Sequence, residues 1–119
     1  MTQTTNNTVT LSVASREAVH RRALAAFRGH DQGAHISFSS ADLLWRTLTK
    51  KRWEILQAMA GAGPLSVREV ARRVGRDVRR VHGDTQALLD AGVLDRAEDG
   101  RIEFRYDAVH VDFVLQAVG

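Results

Sequence analysis

With 119 residues, 44% of them hydrophobic, and a formal net charge of +3, the chain has room for one domain and a small appended element. It contains no cysteine, which excludes disulfides, thiolate catalysis and cysteine-rich zinc sites and suits a reducing cytoplasm. The polar start lacks the apolar segment of a signal peptide and no apolar run approaches a membrane span, so a soluble cytoplasmic protein with no membrane partner is expected.

Residues 1–7 are polar and expected to fray. Val9, Leu11 and Val13 alternate with Thr10 and Ser12, the period of a half-buried strand. A helix start is read near Ser15; Ala18, Val19, Leu24 and Phe27 supply an apolar face as far as Gly29. Ile36 and Phe38, alternating with His35, Ser37 and Ser39, predict a second short strand. Strand, helix, strand is the pattern of a crossover unit with two parallel neighbours. Two strands alone are marginal. Residues 1–39 are therefore expected either to lie on the rest of the chain or to complete a sheet with a second subunit, which makes them the candidate dimerisation element.

Ser39 or Ser40 caps a short helix containing Leu43, Leu44, Trp45 and Leu48. Thr49 caps the next, Lys50 to about Ala60, with Trp53, Leu56 and Met59 inward. Lys50, Lys51 and Arg52 at its start oppose the helix dipole; a nearby phosphate would offset that, and an ordinary solvated end is the alternative. Residues 61–64 form a loop.

Ser66 followed three residues later by Glu69 reads as a capping box. Val67, Val70, Ala71 and Val74 then fall on one helical face, and Gly75 stops the helix in a left-handed turn. A second helix starts near Arg76 or Asp77, with Val78, Val81, Thr85, Leu88 and Leu89 as its inner stripe, and ends at Gly92. Two inward faces leave Arg68, Arg72, Arg73, Arg76, Arg79, Arg80 and His82 outward, the arrangement of a helix-turn-helix whose second helix enters a major groove. After Gly92, residues 93–96 and 101–106 are short apolar/polar runs around Ala97-Glu98-Asp99-Gly100, and Asp-Gly is a hairpin-turn signal. A hairpin in this place is a wing. The tail from Asp107 is either a short helix or extended; the alternation of Val109, Val111 and Phe113 favours extended. The expected fold is thus α+β, a winged helix-turn-helix over residues 40–119 with an N-terminal strand-helix-strand extension.

Charge is unevenly spread. Residues 46–80 hold ten Lys or Arg against three acids, whereas residues 81–119 hold three Arg against eight. A basic segment between neutral and acidic ones is the footprint expected of phosphate binding; a merely solvated helical surface is the alternative, and so few acids among so many bases weaken it.

The runs Leu48 to Leu56, Ser66 to Asp84 (with Gly75-Arg76-Asp77-Val78-Arg79-Arg80-Val81-His82 at its centre), Ala91 to Leu94 and Tyr106 to Val111 resemble the MarR-like winged helix-turn-helix DNA-binding proteins of haloarchaeal type that are widespread in bacteria. The resemblance covers roughly residues 40–115. It implies a transcriptional regulator; some members look like the antitoxin of a toxin–antitoxin pair that represses its own operon.

Arg79 and Arg80, in the first turn or so of the second helix, are the residues expected in the groove, because arginine bidentate to guanine is the commonest specific base contact. Ser66, Arg68 and Arg72 are expected on backbone phosphates, with Arg76, Lys50 and Lys51 as further cationic contacts. His82 suits a base, a phosphate or a cap; Gly83 would let the helix backbone approach DNA closely; Gln86 lies deep along the helix. Asp77 suits an N-cap better than a cytosine reader. Arg101 is the wing candidate and Arg96 a weaker one, while Glu98 and Asp99 at the tip would repel phosphate. His20, His30, His35, His82 and His110 have no metal-ligand spacing, and neither a phosphate loop nor a catalytic signature occurs, so no enzyme, metal or cofactor is expected. The expected function is a sequence-specific double-stranded DNA-binding regulator, a homodimeric autorepressor. The alternative is an antitoxin whose acidic C-terminal third or N-terminal element meets a toxin protein.

Overall fold

Strand β1 (Thr8–Val13) is the strand that the rest of a small sheet is built on. Its alternation buries Val9 and Leu11 completely, as the period-two pattern requires. It pairs in parallel with β2 (Ala34–Phe38), Leu11 opposite Ile36, and on its other edge with β5 (Ala108–Asp112), Leu11 opposite Val111. The computed structural model describes residues 7–14, 20, 23–24 and 34–112. The expected helix between the first two strands falls largely outside these; His20, Ala23 and Leu24 are helical and exposed.

The parallel β1–β2 pair and the extended tail follow the sequence reading. Their combination does not. The marginal two-stranded unit takes its third strand from the C-terminal tail of the same chain, in the order β2-β1-β5, so the sheet draws on both the 1–39 and the 40–119 stretches. A hydrogen bond of 2.9 Å from the Asp107 amide to the Asn7 carbonyl leads the tail into register. One face carries Val9, Ala34 and Val109 in one row and Leu11, Ile36 and Val111 in the next. These belong to the same apolar cluster as the helices. Ser12 and His35 point to the other face, the Ser12 hydroxyl 2.6 Å from His35 Nε2.

Four complete helices follow among the described residues: α1 (Ala41–Thr47), α2 (Lys50–Met59), α3 (Val67–Val74) and α4 (Val78–Asp90). Each has the predicted kind of N-cap. Ser40, Thr49, Ser66 and Asp77 accept from the backbone N–H three residues on, at 3.1 to 3.4 Å, which satisfies donors that a helix start leaves orphaned. Only half of the expected capping box forms at α3, because the Glu69 carboxylate is taken by Arg72 and Arg73. Replacing Ser66 with alanine should cost about 1 kcal/mol, read as a drop in Tm of roughly 4 °C; an unchanged melting curve would remove this cap from the account.

The interior is a single cluster in which Leu44, Ile55, Leu56, Met59, Val70, Val81, Leu88, Val93, Leu94 and Ile102 are buried. Trp45, expected among the packing residues of α1, is exposed, and Leu44 and Leu48 take the inner positions instead. A hairpin of β3 (Asp95–Arg96) and β4 (Ile102–Glu103) follows α4. Ile102 also exchanges two 2.8 Å backbone hydrogen bonds with Leu65, which ties the hairpin to the entry of α3. The fold is therefore α+β. Among the described residues no helix is long and apolar enough to cross a membrane.

Candidate nucleic-acid interface

Helices α3 and α4 are joined by the three residues Gly75-Arg76-Asp77. Gly75 adopts φ +68°, the left-handed conformation that closes α3 without a Cβ clash. Its N–H and that of Arg76 donate to the carbonyls of Arg72 and Ala71, so the turn satisfies the last carbonyls of the helix it ends. Both helices pack on each other and on α2, through Val70, Ala71, Val81, Thr85 and Leu88. The opposite side of α4 carries Arg79, His82, Gly83 and Gln86 in one exposed stripe at helical spacing, with Arg80 beside it.

Val78 is a difference from the sequence reading. Its spacing places it in the inner stripe, yet it is 41% exposed. Periodicity sets the direction in which a residue points, whereas burial needs an element opposite, and the first residue of α4 has none covering it.

The cations fall into two groups. Arg68, Arg79, Arg80, Lys50 and Lys51 are exposed, and among the described residues none of them enters an ion pair. Arg72 and Arg73 are exposed but lie on Glu69, and these two guanidinium groups hold that carboxyl below its ordinary range. Such a surface arrangement leaves both arginines available to a stronger anion.

Arg76 and Arg101 belong to the second group and correct the expectation that both stand free. Arg76 donates from Nη2 to Asp84 Oδ2 at 2.7 Å, and only 17% of its side chain is exposed. Its Nη1 is buried without a hydrogen-bond partner. Arg76 turns inward because Asp84, eight residues on in α4, offers it a carboxylate. Arg52 donates from Nε to the other oxygen of Asp84 at 3.0 Å, and from Nη1 to the carbonyls of Arg46 and Thr47 at 3.3 and 3.1 Å. The guanidinium that seemed misplaced at the start of α2 thus satisfies the end of α1. Asp84 is drawn two ways: burial raises its pKa, but the hydrogen bonds from Arg76 and Arg52 outweigh burial and hold it below its ordinary value.

Arg101 is engaged in the hairpin. Its Nε donates to Asp99 at 2.7 Å and its Nη1 to the Pro64 carbonyl at 3.3 Å. Arg96 donates to the Gly100 carbonyl at 2.9 Å, and Arg105 pairs with Asp95. The hairpin's arginines are matched internally and its tip stays acidic, so the cationic surface is concentrated on α3, α4 and the start of α2.

Gly83 is exposed in the interior of α4, and a Cβ built there would meet nothing within 4 Å. Glycine in a helix interior costs about 1 kcal/mol relative to alanine, and no packing constraint inside the molecule requires it. His82 is exposed on the same side, while its carbonyl accepts from the buried Thr85 hydroxyl at 3.0 Å. Asp84 and Arg52 were missed as positioning residues. The available signal was a lone acid in the second helix of a basic segment, which has no direction until α2 is placed beside it. Among the described residues no three metal-ligating side chains lie together.

The HVO_A0114 family model matches residues 47–111, a stretch that holds α2, α3, α4, the hairpin and nearly all of β5. No curated protein and no solved structure matches the chain.

Proposed function

We propose that the chain, which belongs to the HVO_A0114 family, is a winged helix-turn-helix protein of MarR-like type that binds double-stranded DNA with sequence preference, as a homodimer repressing its own operon. The observation that carries this reading is the exposed side of α4. Arg79 and Arg80 stand in its first turn with no internal carboxylate, on the second of two helices joined by a tight turn and followed by a hairpin. The N-terminal part of such a helix is what meets base edges in the major groove. In this reading Ser66, Arg68 and Arg72 on α3 and Lys50 and Lys51 on α2 hold backbone phosphates, which position the protein without specifying sequence. Arg76 becomes a positioning residue. The hairpin, with its arginines matched and its tip acidic, stays shallow.

A homodimer fits because a single module makes few contacts and two-fold symmetry doubles them; the N-terminal element, whose sheet ends in strands β2 and β5, is the proposed contact between subunits. Reading the chain as a binding module rather than an enzyme follows from the same surface.

The test is fluorescence anisotropy on a duplex taken from upstream of the protein's own gene, against a scrambled duplex of equal length. Tighter binding of the native duplex is expected, with affinity falling as salt rises. Arg72→Ala should weaken binding evenly across sequences and lower the salt slope by about one. Equal affinity for the native and scrambled duplexes would refute the reading, and a loss confined to one base pair would remove Arg72 from the phosphates.

A further inference from the structure

Folding does not explain the glycine at position 83. Its φ is not among the positive values found at other glycines, and the space where its side chain would stand is open. Alanine would fit and would strengthen the helix. A benefit must therefore come from outside the molecule, from something that approaches the helix backbone at this point.

The neighbours on the same face say what that is. Arg79 lies one turn before Gly83 and Gln86 one turn after, both exposed. Arginine is the residue type that reads guanine bidentately, and glutamine is one of the two that read adenine. Their separation of seven residues is about 10.5 Å along the axis, which matches roughly three base-pair steps of duplex at 3.4 Å each. A helix that touches DNA only with its tip would leave Gln86 out of reach. A helix laid along the groove would engage both ends, and its middle would come nearest the groove floor, where any side chain would hold it off.

We infer that α4 lies lengthwise in the major groove, with the bare backbone at Gly83 as the point of closest approach and Gln86 as a second base-reading residue beyond Arg79. In the free protein the Gln86 amide donates to Asp90 Oδ1 at 3.0 Å, one turn further on. That contact is exposed, so the amide exchanges it for an adenine edge at little loss. The inference rests on the DNA-binding reading and adds to it how the helix is seated and how far along it the bases are read.

The experiment uses the full chain and duplexes that the wild-type protein selects from a randomised double-stranded library. Gly83→Ala should raise Tm, by about 4 °C, while lowering affinity for the selected duplex roughly 10-fold or more. Gain of stability with loss of binding separates seating from folding. Gln86→Ala should leave binding to scrambled DNA unchanged and remove preference at one base pair, about three steps from the pair affected by Arg79→Ala. Wild-type affinity in Gly83→Ala, or an unaltered base preference in Gln86→Ala, overturns the lengthwise seating while leaving DNA binding in place. If the wild type selects no sequence at all, the inference falls together with the reading beneath it.

Discussion

The double substitution Arg79→Ala, Arg80→Ala should abolish preference for the native operator and leave the melting temperature nearly unchanged. Both side chains are exposed and neither pairs with an acid among the described residues, so the fold loses nothing by their removal, and surface changes of this kind stay within about 0.5 kcal/mol. Binding loses much more. A well-formed bidentate arginine–base pair discriminates by roughly 1–3 kcal/mol, so a fall of about 100-fold or more is expected on the native duplex, converging on the affinity for scrambled DNA. The single variants should differ. Arg79 lies in the same stripe as Gly83 and Gln86, while Arg80 lies about 100° round the helix from it. Arg79→Ala should therefore relax preference at one base pair, whereas Arg80→Ala should weaken all sequences alike. Anisotropy titrations at matched salt check both, and an unchanged affinity in the double variant would end the assignment of α4 as the recognition helix.

Asp84→Ala should be the most destabilising substitution at any charged position in the basic segment and its flanks. The carboxylate bridges Arg52 and Arg76, and the exposed fractions of the three side chains are 18%, 22% and 17% respectively. Its removal strands two guanidinium groups in a region where Arg76 Nη1 already has no partner. Breaking a buried ion pair from one side costs about 3–5 kcal/mol, and the residual exposure here brings the expectation to roughly 2–4 kcal/mol, or about 10 °C in Tm. Asp84→Asn, which keeps the shape and one acceptor, should fall between this variant and the wild type. The pH dependence has a definite sign. Since the folded-state pKa of Asp84 is lowered from 3.8, its contribution is fully present above the unfolded-state value and is lost as pH falls through the lowered one. Wild-type stability should therefore drop more steeply below about pH 4 than that of Asp84→Asn. Parallel acid denaturation curves, or an Asp84→Ala variant as stable as the wild type, would show that the bridge contributes little.

That bridge also explains why a count of basic residues overstated the binding surface. Ten Lys or Arg lie within residues 46–80, and from spacing alone Arg76 looks as free as Arg79. Whether an arginine faces a phosphate depends on which carboxylates reach it. Glu69 acts within its own helix, where pairs three and four apart meet by geometry. Asp84 reaches Arg52 across 32 positions of sequence, and no local pattern announces such a partner.

The parts of this protein written in its sequence are those governed by short-range rules: a hydroxyl or carboxylate three residues before an amide to cap a helix, a glycine to turn left-handed at position 75, alternation to lay down a strand, Asp-Gly to fold a hairpin. Each depends on atoms within about one turn of one another, so residue order is enough. Three things needed the chain to close on itself. The tail became the third strand of the N-terminal sheet because β1 had an unpaired edge for it; Val78 stayed exposed because nothing lies opposite the tip of α4; and the arginines divided into those held by Asp84, Asp99 and Glu69 and those left for a ligand. Long-range pairing, coverage and charge neutralisation are set by which surfaces meet. Only the packed structure brings those surfaces together.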